Sequence, residues 1–169
     1  MNHVSKTLVE QELSRELIYS IGVYVQLCAR IEKLIIKSIC LAEKATGERA
    51  KFRYAELSQL STRELISSLK NISSSLTKDH LWYRYFEELR PYLHKFVDNR
   101  HLAVHGVISS NLAVHGVISP NNGARVFFFD KNSKEAVDHQ FEQNEVEFMV
   151  DAADHIARSL DRFCKEADL

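Results

Sequence analysis

Arg100 and His105 pair a permanently charged guanidinium with an imidazole that titrates near neutrality. They lie in the run Val97-Asp98-Asn99-Arg100-His101-Leu102-Ala103-Val104-His105-Gly106. Those two groups suit phosphodiester cleavage. In RNA the ribose 2′-hydroxyl attacks the neighbouring phosphorus itself, so no metal is required. A histidine takes the hydroxyl proton as general base, or supplies one to the leaving 5′-oxygen as general acid. An arginine neutralises the charge developing on the pentacoordinate phosphorus, where a preorganised donor contributes most. The expected catalytic pair is therefore Arg100 and His105, with Asn99 and His101 as supporting polar neighbours and with neither cofactor nor metal.

One imidazole does not easily serve as base and acid at once. A two-fold dimer would bring two copies of each residue into one cleft. Helix geometry argues the same way: five residues turn through about 140° net at roughly 100° per residue, so the two side chains are not stacked on one face. Cations also suit the negative end of a helix macrodipole, so an Arg and a His at a helix C-terminus do not by themselves make an active site.

The chain repeats itself at this point. Leu102-Ala-Val-His-Gly-Val-Ile-Ser-Ser-Asn111 is followed by Leu112-Ala-Val-His-Gly-Val-Ile-Ser-Pro-Asn121, identical at nine of ten positions. A unit this short is no solenoid repeat, which needs about 20 or more residues to build a packing layer. An in-frame duplication within 102–121 is the simpler account. Copy one is expected to complete the helix holding Arg100 and copy two to enter a β-hairpin, leaving residues near Val107 to His115 as surplus loop. On that reading His115 is a possible duplicate of His105. The competing arrangement puts His115 in the ancestral place, with fourteen residues between it and Arg100.

The elements that must position the pair are mostly helical. Leu17, Ile21, Tyr24, Cys28, Ile31 and Ile35 step by four and three, a seam predicting a helix from about Leu8 to Lys44 that Thr46-Gly47-Glu48 ends. Ser61-Thr-Arg-Glu64 has capping-box spacing and opens a short helix with Leu65, Leu69 and Ile72 inward, its pattern broken by the Ser-rich stretch Asn71 to Ser75. Trp82-Tyr-Arg-Tyr-Phe86 starts another helix, with Pro91 as a kink or a new start, and Leu93, Phe96 and Val97 lead to Arg100. Pro120-Asn-Asn-Gly123 marks a turn between Val117-Ile-Ser119 and strand-like Arg125–Phe129, an expected hairpin. Asn144, with Glu147 three residues on, caps a final helix whose inward face is Val146, Met149, Ala153, Ile156, Leu160 and Phe163.

Bulk composition fits that picture. A chain of 169 residues with 45% hydrophobic and 27% charged residues suits one ordinary globular domain, 1–169, and only five Gly and two Pro argue against an all-β fold. The formal net charge of −1 excludes a polyelectrolyte arm, so RNA must be held by a local site. Between Arg84 and His105 four Arg or Lys face three acids, with His94, His101 and His105 among them. Three widely spaced cysteines, no signal-like apolar start and no long apolar run point to a reducing cytoplasm and no membrane.

Two weaker constellations compete. His94, Asp98, His101 and His105 share a helical face and could ligate zinc, but a second element with ligand spacing is missing. Trp82, Tyr83, Tyr85 and Phe86 could stack bases, though helical spacing favours core or interface. Asp151, Asp154 and His155 read as a solvated face.

Asn99-Arg-His-Leu-Ala-Val-His-Gly106 resembles the Arg-x4–6-His signature of the HEPN superfamily. The long first helix with Ala29-Arg-Ile-Glu-Lys33 and the final helix after a small hairpin are similar to it as well. The resemblance implies an all-α fold, a HEPN-like bundle of four to five helices with one small β-hairpin before the last helix. It implies a homodimeric, metal-independent endoribonuclease, a toxin or anti-phage defence effector, with a neutralising antitoxin or other regulatory partner. The catalytic pair it implies is Arg100 and His105, with His101 in the variable polar slot. Some toxin members carry a modifiable tyrosine two residues after the histidine; here Val107 and Val117 stand there. Many members are non-catalytic, so the alternative is a catalytically silent HEPN-like interaction module, inactivated or tuned by the duplication.

Overall fold

The structure, a computed structural model, describes residues 15–105, 107–110, 124–130 and 135–167. Five helices and three strands follow in the order α1 (Arg15–Ala42), α2 (Gly47–Leu57), α3 (Thr62–Ser75), α4 (Leu81–His105), β1 (Val107–Ser110), β2 (Ala124–Asp130), β3 (Glu135–Phe141) and α5 (Gln143–Ala167). Most described residues are helical, as an all-α class requires.

The chain divides into two compact units, Met1–Val25 with Asn99–Val150, and Gln26–Asp98 with Asp151–Leu169. The core of the second unit is drawn from several helices. Cys28, Ile31, Ile35 and Ile39 of α1 are buried, as are Leu65 and Leu69 of α3, Trp82, Phe86, Leu89, Leu93 and Phe96 of α4, and Ile156, Leu160 and Phe163 of α5. Their three- and four-residue spacing gives each helix one apolar stripe, and burying such stripes is what holds a helix bundle together. Trp82 is fully buried with its ring centroid 4.6 Å from that of Phe163. In the first unit Leu17, Tyr24, Val146 and Met149 are buried, and Gln143 Nε2 donates to Ser20 Oγ at 3.3 Å and to Glu147 Oε1 at 2.8 Å.

Several boundaries differ from the sequence reading, each for a local reason. The helix α1 ends at Ala42, and Leu8 to Ser14 lie outside the described residues. Lys44 takes a left-handed φ of 52°, with Lys44 N–H donating to the Leu41 carbonyl at 3.0 Å and Ala45 N–H to the Cys40 carbonyl at 2.9 Å. That is the Schellman pattern with lysine where glycine is usual. Gly47 does not stop a helix but opens α2, after Thr46 in extended conformation. This helix escaped the periodicity because Leu57 is its one buried residue. A fork of hydrogen bonds also ties it down: Arg53 Nε and Nη2 each reach Glu43 at 2.9 Å.

The capping box of α3 is complete, Ser61 and Glu64 each bonding the other's backbone N–H. The serines do not end that helix. Ser74 and Ser75 hydroxyls donate back to the carbonyls of Lys70 and Ile72 at 2.8 and 2.7 Å, which satisfies them without leaving the helical path. The helix α4 runs unbroken from Leu81 to His105 with Pro91 inside it, so Pro91 starts no new element. The final helix begins at Gln143, one residue before Asn144, which sits in the first turn.

A single hairpin is not what the described strands form. They make a three-stranded antiparallel sheet of order β1-β2-β3. The strand β2 pairs with Val107–Ser110 of copy one, Val107 opposite Phe127 and Ser110 opposite Ala124. On its other side it pairs with Glu135–Phe141. Val107–Ser110 is thus a strand and not surplus loop. Val117 to Ser119, the expected partner, lies outside the described residues.

Candidate functional site

Arg100 and His105 belong to one uninterrupted helix, α4, of which His105 is the last residue. Copy one of the repeat therefore finishes the helix, and the Arg-x4-His interval is spanned by regular α-helical backbone. Along that backbone the two Cα positions are separated by about 7.5 Å of rise and about 140° of rotation. The two backbone positions thus lie on different faces of the helix.

Asn99 and Arg100 are half-buried, and the Arg100 Nε is buried. A guanidinium held partly out of water keeps its full charge and interacts with a developing negative charge through a lower local dielectric than an exposed one. His101 and His105 are placed by the helix backbone, the former next to Arg100 in sequence and the latter at the helix end. Gly106 separates His105 from β1. His115, the possible duplicate, lies outside the described residues. The helix C-terminus, with its unpaired carbonyl ends, favours nearby positive charge and so suits an arginine and a histidine together.

The competing constellations fare differently. Trp82 is 0% exposed, Tyr85 9% and Phe86 4%, so three of the four aromatics belong to the core and cannot stack a base. The Tyr85 hydroxyl donates to Glu166 at 2.9 Å, and burial together with that carboxylate raises its pKa. His94 and Asp98 are exposed, and no group of three or more ligating side chains stands together among the described residues. Asp151 and His155 are exposed as expected, the His155 ring lying 4.8 Å from that of Tyr92. Asp154 pairs with Arg158 one turn on. Cys28, Cys40 and Cys164 are all free and buried, and burial first of all raises the Cys40 pKa, which leaves it a poor nucleophile.

The Ala29–Lys33 stretch of α1 has structural employment. Ile31 is buried, Glu32 accepts a hydrogen bond from the Thr62 hydroxyl, and Arg30 lies 4.0 Å from Asp161. Sequence reading did not single out Ser20 and Gln143, which are hydrogen-bonded to each other in the same unit as Arg100. They are 123 residues apart, so no local pattern could have joined them. Comparison with known proteins finds no family model, no curated protein and no solved structure that matches the chain.

Proposed function

We propose that this chain is a metal-independent endoribonuclease of the HEPN type, built on a HEPN-like helical bundle and acting as a homodimer. The observation that carries the reading is the continuity of α4 through Arg100 to His105, which keeps the Arg-x4-His spacing on regular helix despite the adjoining duplication. Arg100 binds the scissile phosphate and stabilises the charge that builds on its oxygens. His105 of one copy accepts the 2′-hydroxyl proton while the 2′-oxygen bonds to phosphorus. A second imidazole, His105 of the other copy, donates a proton as the bond to the 5′-oxygen breaks, leaving a 2′,3′-cyclic phosphate and a 5′-hydroxyl. Asn99 and His101 flank Arg100 and orient it or the phosphate.

Such an activity fits a toxin or anti-phage defence effector that is held in check by a neutralising antitoxin or another regulatory partner. Three free, buried cysteines accord with a reducing cytoplasm, and no helix among the described residues is long and apolar enough to cross a membrane. A second reading is favoured by the position of the repeat, whose copies begin directly after His101: a HEPN-like interaction module whose catalysis the duplication has silenced. Cleavage of RNA in EDTA separates the two. The enzyme reading expects cleavage by the intact chain and its loss in Arg100→Ala and in His105→Ala. Cleavage unchanged in both variants would remove the assigned residues, and cleavage that emerges only after deleting one copy would establish the silenced form.

A further inference from the structure

Among the described strands β1 is one of the two outer ones, and it pairs with β2 through four residues, Val107, Ile108, Ser109 and Ser110 opposite Phe127, Val126, Arg125 and Ala124. Ten residues later the sequence offers Val117, Ile118, Ser119 and Pro120. Three of these four are the same residues in the same order. The fourth replaces Ser110 at the end of the strand by a proline, which edge strands and strand ends tolerate.

We propose that β1 is a slot which either copy of the repeat can fill, so that the duplication is a register switch. In one state Val107–Ser110 pair with β2, and residues 111–123 connect the two strands. In the other, Val117 pairs with Phe127, Ile118 with Val126, Ser119 with Arg125 and Pro120 with Ala124. The connection to β2 then shrinks to Asn121, Asn122 and Gly123, and the surplus ten residues move to the junction between α4 and the strand. Asn-Asn-Gly suits a three-residue hairpin loop, whose last position is left-handed and favours glycine.

The two states are close in pairing because three of the four paired residues are the same and only the last, Ser110 or Pro120, differs. Val117, Ile118 and Ser119 would take the places of Val107, Ile108 and Ser109 opposite β2 and so the same sides of the sheet, whereas a one-residue slip would invert them all. Each state carries one long and one short connection, and loop-closure cost grows only logarithmically with length. The consequence is positional. In the first state the histidine one glycine away from the strand is His105, five residues from Arg100 on α4; in the second it is His115. The inference stands on the sheet register and the repeat alone and does not rest on the ribonuclease reading.

Disulfide trapping in the full chain tests it, since the native cysteines are buried. Ser109→Cys with Arg125→Cys traps the first state, and Ser119→Cys with Arg125→Cys traps the second. Ile108→Cys and Ile118→Cys, each with Arg125→Cys, are off-register controls of nearly equal sequence separation. In a glutathione buffer both in-register disulfides are expected to exceed their controls by about tenfold or more in equilibrium yield. Nuclear magnetic resonance of the oxidised second-state trap should keep strand shifts for Ala124–Asp130 while Val107–Ser110 lose theirs. Equal yields for the 119–125 and 118–125 pairs, beside a clear preference for 109–125 over 108–125, would overturn the switch. So would loss of the β2 and β3 strand signals on forming the 119–125 disulfide.

Discussion

At the scale of single residues, chemistry rests on what a guanidinium and an imidazole do that their nearest substitutes do not. Arg100 offers a planar fork of donors that matches two phosphate oxygens, whereas lysine offers a point charge on a flexible stem. Arg100→Lys is therefore expected to keep RNA binding within a few-fold yet lose cleavage about as fully as Arg100→Ala, by about 10²-fold in single-turnover rate. A lysine variant that cleaves at the rate of the unmodified chain would show that charge alone suffices. Lys44 is a structural counterpart. Its left-handed backbone costs a side-chain-bearing residue roughly 1–2 kcal/mol, part of which glycine returns as extra freedom in the unfolded chain. Lys44→Gly should raise the midpoint of thermal unfolding by a few degrees; a fall in the midpoint would mean that the lysine side chain does more than close the helix.

At the scale of elements, α3 shows how a sequence signal becomes stability. Ser61 caps the helix and Glu64 returns a bond to the Ser61 backbone, and the Ser61 hydroxyl and backbone N–H hold the Glu64 carboxylate below its ordinary pKa of 4.5. A depressed carboxylate stabilises the fold above its unfolded pKa, and that contribution is lost as pH falls through the lower folded value. Glu64→Gln keeps a reciprocal acceptor but cannot titrate, so chemical denaturation from pH 6 to pH 3 should show a shallower fall in stability than in the unmodified chain. Identical slopes would leave the capping carboxylate without a part in acid stability. Ser61→Ala removes the cap itself and should cost about 1 kcal/mol at pH 7.

Elements were legible where a stripe of apolar residues recurs at helical spacing, as in α1, α3, α4 and α5. The helix α2 was not, because Leu57 is its only buried residue while Phe52 and Tyr54 are 69% and 41% exposed. The serines of α3 misled for the opposite reason: their back-bonding to carbonyls is invisible in composition. For β1 no local signal existed, since Val107–Ser109 and Val117–Ser119 are the same three residues and only pairing with β2 distinguishes them. The candidate pair was legible by type and spacing, and the unbroken course of α4 through Pro91 was not.

At the scale of the whole molecule, helix stripes supply the buried apolar residues of one unit. The unit of Gln26–Asp98 with Asp151–Leu169 contains the Trp82 cluster and the buried stripes of α1, α3 and α5, and Leu17, Tyr24, Val146 and Met149 are buried in the unit that holds Arg100. Local opening follows the density of buried contacts. Native-state hydrogen exchange should find slow amides in α3 and around Leu89 to Phe96, with those of α2, which buries only Leu57, faster. The reverse order would contradict this packing. Trp82→Ala should cost about 3–5 kcal/mol by emptying the site against Phe163.

Single-turnover cleavage of one RNA in EDTA, compared between His105→Ala and His115→Ala, bears most directly on the assignment of the catalytic pair. His105→Ala is expected to slow cleavage by about 10²-fold or more, the usual worth of a positioned acid or base, while His115→Ala stays within a few-fold of the unmodified chain. A rate lost with His115 and kept without His105 would contradict the account.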